Sequence, residues 1–307
     1  MAFFPLPFLK SLSFTLVISC LLTTSSSSFA QEDNVRAYPM EESGLLWQIE
    51  GPGVTDKCYL FGTMHLIASE AFFFPKKLEK ALSKSEELVM EIPGTDIDPE
   101  LARELMLLEN GSLKDYLDEL QLDTLKQWAK EEHGVNEEIF AFAFESLKPI
   151  AVVQMAIHSS VSADVASYEV SFEEIATEME IPVSGLETVQ EQLSLFDSLD
   201  TSIQANMIMA SIRTQPEDEA YDQQLLDLYT LQDIDGLYGL ITEADDFDAE
   251  IQAVFIDNRN IKWIPQIINK ISVSKSFIAV GAGHLGGPNG LIRLLESEGY
   301  TLTPITL

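Results

Sequence analysis

Apolar and alternating stretches near the two ends of the chain predict β-strands. Residues 45–50 alternate between apolar and polar positions, and residues 57–61 follow them after a Gly-Pro-Gly turn. This spacing predicts a hairpin over residues 44–62. Further strands are predicted at residues 87–92, 181–185, 276–280 and 300–306.

Helical periodicity dominates the middle of the chain, where residues 99–180 are predicted to be mostly helical. Because the strands cluster at both ends, we expect an α/β fold: a central mixed sheet built from N- and C-terminal strands, with a large helical insert. A single domain is expected over residues 44–307. Individual helices are predicted at residues 123–132, 148–163 and 168–179, from Thr188 onwards, across 190–244, and at 248–264 and 288–298.

Composition indicates a globular protein and excludes two classes of partner. The chain has 307 residues, of which 46% are hydrophobic and 22% charged; these values are typical of a folded domain. Acidic residues number 50 and basic residues 18, so the formal net charge is −32. A basic footprint for nucleic acid or for anionic lipid is therefore not expected.

The N-terminus has the pattern of a secretory signal. Residues 1–30 carry one charge, Lys10, and an apolar stretch at 12–22 is followed by Ser28 and Ala30 at the −3 and −1 positions of a cleavage site. We expect export, a polar and loose segment at 31–43, and no membrane-spanning run in the mature chain. The alternative is a lipoprotein signal, in which residues 17–20 form a lipobox and Cys20 carries the lipid.

Only Cys58 would remain after cleavage, so no intrachain disulfide is expected. It lies in a predicted strand, where a buried apolar role is expected. Of the four histidines, His133 and His158 lie in predicted helices and are expected to be structural.

The other two histidines occupy matching positions. His65 and His284 each end a Gly-x-x-His motif that follows a predicted strand. If these strands are parallel neighbours, both imidazoles reach the crevice at the carboxyl ends of the strands, where ligands bind in open α/β sheets. Imidazole is a common metal ligand and a natural general base. Two unrelated turn histidines are the alternative.

Three charged residues could complete such a site. Glu91 ends a predicted apolar strand and either faces solvent or points into the site. Glu187 follows a short strand and either belongs to the site or balances the dipole of the next helix. Arg259 lies between Phe255 and Trp263 on one helix face; its guanidinium either pairs with Glu91 or Glu187 or binds a substrate oxyanion.

Other catalytic motifs are missing from the sequence. It contains no Gly-x-Ser-x-Gly elbow, P-loop, His-Glu-x-x-His or EF-hand loop. Residues 281–286 fit Gly-x-Gly-x-x-Gly formally. They lie too near the C-terminus for a dinucleotide-binding unit, which places this turn early and an acid about 20 residues later.

Several short motifs together resemble the TraB/GumN family, which is similar to the TIKI metalloproteases. The two Gly-x-x-His motifs are the hallmark of that family, and the motifs cover residues 44–307 in the family's order. The resemblance implies a metal-dependent hydrolase and a wider likeness to erythromycin esterase and ChaN haem-binding proteins. The matching segments are residues 59–65, 89–91, 185–188 with Gln192, 259–260 with Trp263, 280–287, 290–291 and 299–300.

By this resemblance, we expect an exported metal-dependent hydrolase, most simply a peptidase acting on a peptide or another small substrate. His65, His284, Glu91 and Glu187 would hold a divalent metal, for which Zn, Mn and Co are all suitable. Glu91 or Glu187 would be the general base, and Arg259 would stabilise the oxyanion or fix a carboxylate. The alternatives are a metal-free esterase-like hydrolase with His65 as base, and a haem- or ligand-binding protein.

Overall fold

The computed structural model describes residues 42–93, 99–160, 164–213, 216–244 and 249–307. The predicted signal peptide and most of the predicted loose segment lie outside these residues. Contacts divide the chain into two compact units. The sheet unit contains the described residues 42–93, 164–188, 216–244 and 249–307, and the helical unit contains the described residues 99–160 and 189–213.

The sheet unit is built on a six-stranded mixed sheet. Its strands are β1 Leu46–Glu50, β2 Cys58–Thr63, β4 Glu87–Met90, β6 Val183–Gly185, β7 Ser276–Gly281 and β8 Thr301–Ile305, and a separate antiparallel pair consists of β3 Ile67–Ala68 and β5 Val165–Ala166. The strand order is β6-β4-β7-β2-β1-β8. Strands β1 and β2 form the predicted hairpin, β8 pairs antiparallel with β1, and the β2/β7, β7/β4 and β4/β6 pairs are parallel. The predicted α/β fold is therefore confirmed.

Strands β2 and β7 occupy the middle of the sheet because their side chains are apolar on both faces, as expected for parallel strands covered on both sides. Cys58 is 1% exposed, which confirms its predicted buried role. In the β2/β7 register, Gly62 lies opposite Val280 and Thr63 lies opposite Gly281. Both Gly-x-x-His motifs therefore begin at the same edge of the sheet.

The helices divide between the two units. The helical unit coincides only in part with the helical region predicted at 99–180, because residues 164–180 belong to the sheet unit and residues 189–213 to the helical unit. In the sheet unit they are α1 Lys76–Leu82, α6 Tyr168–Glu178, α9 Pro216–Thr230, α10 Ile234–Thr242, α11 Ala249–Gln252, α12 Asn258–Val273 and α13 Leu291–Ser297. In the helical unit they are α2 Pro99–Leu105, α3 Glu119–His133, α4 Glu137–Ile139, α5 Pro149–Ser160, α7 Val189–Asp197 and α8 Thr201–Ser211. No helix in the described parts of the chain is both long and apolar enough to cross a membrane.

The helix predicted at 248–264 does not end there. It begins as α11, passes through a π-helical turn at Ala253–Asp257 and continues as α12 to Val273, with Pro265 inside it. A proline in a helix interior costs about 3 kcal/mol. Burial of Ile267 and Ile271 beyond the proline offsets this cost, because each fully buried aliphatic side chain contributes about 1.5–3 kcal/mol.

Candidate functional site

Both motif histidines are buried at the carboxyl ends of parallel strands. His65 follows β2, and His284 ends a short 3₁₀ turn, Ala282–His284, that follows β7. They are 8% and 4% exposed. A β-carbon placed on Gly281 would lie 3.3 Å from His65 Nε2, 3.3 Å from Glu91 Oε1 and 3.7 Å from His284 Cδ2. The three side chains therefore surround one point, which is open because residue 281 is glycine.

Arg259 joins the two predicted glutamates. Its Nη2 donates to Glu91 Oε2 at 2.6 Å and lies 3.0 Å from Glu187 Oε2, to which its Nε also donates at 3.1 Å. Its Nη1 donates to the Phe255 carbonyl and to His284 Nε2, at 3.0 Å each. The guanidinium thus makes four hydrogen bonds within the protein, and its second Nη2 contact, with Glu187, is a close ion pair. This arrangement favours the carboxylate-fixing role over direct binding of a substrate oxyanion.

The helix around Arg259 has a local reason to present this side chain inwards. The π-helical turn Ala253–Asp257 lies directly before α12, and its Phe255 carbonyl accepts from the guanidinium. Single π-helical turns inside α-helices are frequent at functional sites. The Trp263 ring lies one turn further on, 4.6 Å from Arg259 Cζ, and covers the guanidinium.

His65 has a carboxylate behind it. Its Nδ1 lies 2.8 Å from Glu169 Oε1, and Glu169 Oε2 accepts from the Ser167 hydroxyl, also at 2.8 Å. Ser167 is the N-cap of α6, so Glu169 lies in the first turn of that helix, where the dipole stabilises a negative charge. An ionised Glu169 accepts the proton on Nδ1, which leaves His65 Nε2 as the atom facing Gly281.

His284 has an amide behind it instead. Its Nδ1 lies 2.7 Å from Asn260 Oδ1, while Asn260 Nδ2 donates to the carbonyls of His284 and Asn289, at 3.2 and 2.8 Å. The imidazole packs on the Trp263 ring, with 4.6 Å between the ring centroids. Asn260 therefore fixes both the ring and the loop that carries it.

The electrostatic environment shifts the pKa values of the two imidazoles in opposite directions. Burial lowers the pKa of His284 to about 3, with Arg259 acting in the same direction. Burial also opposes charge on His65, but the Glu169 carboxylate, with help from Glu91, raises the pKa of His65 above its ordinary value. Burial alone would raise the pKa of Glu91, but Arg259 and then the two histidines hold it well below its usual range.

The donor set for the expected metal is partly assembled. His65 Nε2 and Glu91 Oε1 face the same point next to Gly281. His284 Nε2 and Glu187 Oε2 contact Arg259 instead, and within the described ranges no group of three or more His, Cys, Asp or Glu is arranged to hold a metal ion. The first pair offers one imidazole nitrogen and one carboxylate oxygen, and coordination of a divalent ion by His65, Glu91, His284 or Glu187 stays a prediction.

The structure thus brings together all five residues that the sequence singled out, and it adds two. Glu169 was missed, although it shares a helix stripe with the buried Phe172 and Ala176. A charged residue in an apolar stripe is the signal that identified Arg259 and would also have identified Glu169. Asn260 lies in the matching segment 259–260, but the sequence assigned it no role.

Comparison with known proteins places the chain in a family. The model of the TraB/PrgY/gumN family matches residues 45–304. The chain therefore belongs to this family, as its motifs predict, and the match includes every residue of the site. No curated protein and no solved structure matches the chain.

Proposed function

We propose that this protein is an exported, metal-dependent hydrolase whose reaction takes place next to Gly281. The observation that carries the proposal is that His65 Nε2 and Glu91 Oε1 face one point from two sides, while Glu169 holds the other nitrogen of His65. A carboxylate behind an imidazole is the usual arrangement for a histidine that binds a metal or accepts a proton.

The charges of the site support a bound cation. Glu91, Glu169 and Glu187 are 3–7% exposed, and the guanidinium that pairs with Glu91 and Glu187 belongs to Arg259, which is 2% exposed. Buried charges require compensation. Three carboxylates against one guanidinium leave two negative charges, which one divalent ion would neutralise by binding in place of the proton that Glu169 favours on His65.

Each residue has a defined task in this proposal. His65 and Glu91 would hold the ion, which when bound lowers the pKa of a water molecule and polarises a carbonyl group. Glu169 orients His65, and the Gly281 N–H, 2.7 Å from Glu91 Oε1, orients Glu91. Arg259 holds Glu91 and Glu187 in place. Glu91 is the carboxylate nearest to the open point, which suits it to hold the ion, whereas its lowered pKa makes it a weak base for the attacking water.

Metal content of the purified protein is the first test. After loading with Mn, Co or Zn, we expect close to one ion per chain by elemental analysis, and a loss of this ion in His65→Gln. His133→Gln, which changes a histidine of the helical unit, is the matched control and should keep the ion. A chelator should abolish cleavage of a peptide panel, and added metal should restore it. A folded protein that takes up no metal would contradict the proposal.

A metal-free hydrolase is the second candidate, and the His65–Glu169 pair is the observation that favours it. In this mechanism His65 Nε2 accepts the proton of the attacking water directly, and Glu169 stabilises the imidazolium that forms. Ester hydrolysis that survives the chelator but is lost in His65→Gln would select this mechanism.

A further inference from the structure

The two Gly-x-x-His motifs look equivalent in the sequence, but their histidines have different partners. His65 is backed by a carboxylate, Glu169, and directs its second nitrogen at the open point next to Gly281. His284 is backed by an amide, Asn260, and its second nitrogen is engaged by Arg259. A carboxylate favours a positively charged imidazole, whereas an amide oxygen supports a neutral one.

The hydrogen bonds of Asn260 fix which nitrogen of His284 carries the proton. Asn260 Nδ2 donates to two carbonyl oxygens, those of His284 and Asn289. Exchanging the amide nitrogen and oxygen would place an oxygen against both carbonyls, so the atom facing His284 Nδ1 must be the amide oxygen. Nδ1 of His284 therefore donates, and Nε2 is left with a lone pair.

That lone pair receives a hydrogen bond from Arg259. Nη1 of Arg259 lies 3.0 Å from His284 Nε2, and the remaining N–H groups of the guanidinium point at Phe255, Glu91 and Glu187. Without this acceptor, one N–H of a guanidinium that is 2% exposed would have no partner. His284 therefore supplies one of the acceptors that hold the guanidinium whose other N–H groups contact both glutamates.

We propose that the two motifs have separate tasks: His65 is the imidazole that meets the metal or the water, and His284 is a positioning residue that holds Arg259 against the two glutamates. The task of His65 rests on the proposed function, whereas that of His284 depends only on the geometry of Asn260 and Arg259. The histidine of the second motif thus holds other residues of the site in place and does not itself contact the metal or the water.

The protonated nitrogen of His284 can be measured without any activity. Long-range ¹⁵N–¹H correlation spectra of the chelator-treated protein report which nitrogen of each imidazole is protonated, and the four histidines can be assigned by replacing each with glutamine. For His284 we expect the proton on Nδ1 and an unprotonated, hydrogen-bonded Nε2. A proton on Nε2 would overturn the proposal, because Arg259 could not then donate to that atom.

Substitutions at His284 and His65 distinguish a positioning role from a role in the reaction. The amide oxygen that His284→Gln introduces can still accept from Arg259, so we expect this variant to recover most of the Tm that His284→Ala loses and to keep the loaded metal. His65→Gln should keep its Tm and lose the metal. Equal Tm values for His284→Ala and His284→Gln, or a loss of metal in His284→Gln as complete as in His65→Gln, would overturn the assignment. If the wild type binds no metal, the metal-dependent function fails, and the imidazole spectra with the Tm comparison still decide the task of His284.

Discussion

Glu169 determines which ring nitrogen of His65 faces the open point, because its carboxylate accepts from Nδ1 and leaves Nε2 free of that contact. In Glu169→Gln the charge is lost, and we expect metal affinity or hydrolysis to fall about 10–100-fold, the usual effect of removing such a partner. Glu174→Gln makes the same change at an exposed position of α6 and is the control. Equal behaviour of the two variants would show that the contact has no functional role.

The same variant tests the pH dependence. Because Glu169 raises the pKa of His65, the wild-type protein protonates this ring at a higher pH than an ordinary histidine would be protonated. Protonation removes both the metal-binding lone pair and the base, so activity is lost as the pH falls through this pKa. In Glu169→Gln the pH of half-maximal activity should move downwards, although the maximal rate is lower. An unchanged or upward-shifted profile would contradict this account.

Gly281 leaves space in which a ligand can lie between His65 and Glu91. Its φ is −53°, which alanine adopts without strain, but the added methyl group would lie 3.3 Å from both donor atoms. We expect Gly281→Ala to fold with a Tm close to that of the wild type and to lose metal binding and hydrolysis. The control is Gly239→Ala in α10, where a β-carbon meets nothing within 4 Å. Retention of metal by Gly281→Ala would place the site elsewhere.

At the scale of elements, the matching motifs are explained by how β2 and the turn after β7 pack on each other. The β-carbon position of Gly281 faces His65, and that of Gly62 faces the turn after β7, 2.7 Å from Leu285 Cδ1 and 3.0 Å from Ala282 Cα. Each motif therefore begins with a glycine because the other motif lies against it. The repeat predicted a shared site, but not this reciprocal packing.

Gly62→Ala should affect stability, in contrast to Gly281→Ala. The Ala282 backbone cannot move away without displacing the turn that carries His284, so we expect a loss of about 1–3 kcal/mol in the free energy of unfolding, as for other overpacked cores. Urea unfolding measures it, with Gly239→Ala as the reference, which should be as stable as the wild type or up to about 1 kcal/mol more stable. A Gly62→Ala protein as stable as the wild type would contradict the close approach.

The elements that the sequence predicted are those whose buried side chains form a local pattern of apolar positions. Strands β2 and β7 are continuous apolar runs, and α3 has an amphipathic stripe closed by a left-handed Gly134. Helix α1 and the β3/β5 pair were not predicted, and strands of two residues are too short to display a period. The continuation of α12 past Pro265 depends on tertiary burial, which a local pattern does not contain.

At the scale of the whole molecule, the sequence predicted which residues meet but not how they bond. Two matched motifs, one charged stripe and the family resemblance together predicted that five residues meet: His65, Glu91, Glu187, Arg259 and His284. The partners of each histidine depend on side chains far away along the chain, since Glu169 lies 104 residues from His65. One sequence carries no record of such pairings, so Glu169 and the contact between Arg259 and His284 required the structure.

The excess of acidic residues makes a last prediction about the whole molecule. With 50 acidic and 18 basic residues, like-charge repulsion exceeds attraction, and high net charge destabilises a compact state. The screening length falls from about 30 Å at 0.01 M salt to about 8 Å at 0.15 M. We therefore expect the Tm to rise between these concentrations, by roughly 2–4 °C for each kcal/mol of repulsion relieved.

Equal rises in NaCl and KCl would identify screening, and the rise should shrink near pH 4.2, where the net charge approaches zero. A Tm that falls with salt would instead show that attractive surface pairs, such as Arg103 with Glu100, outweigh the repulsion.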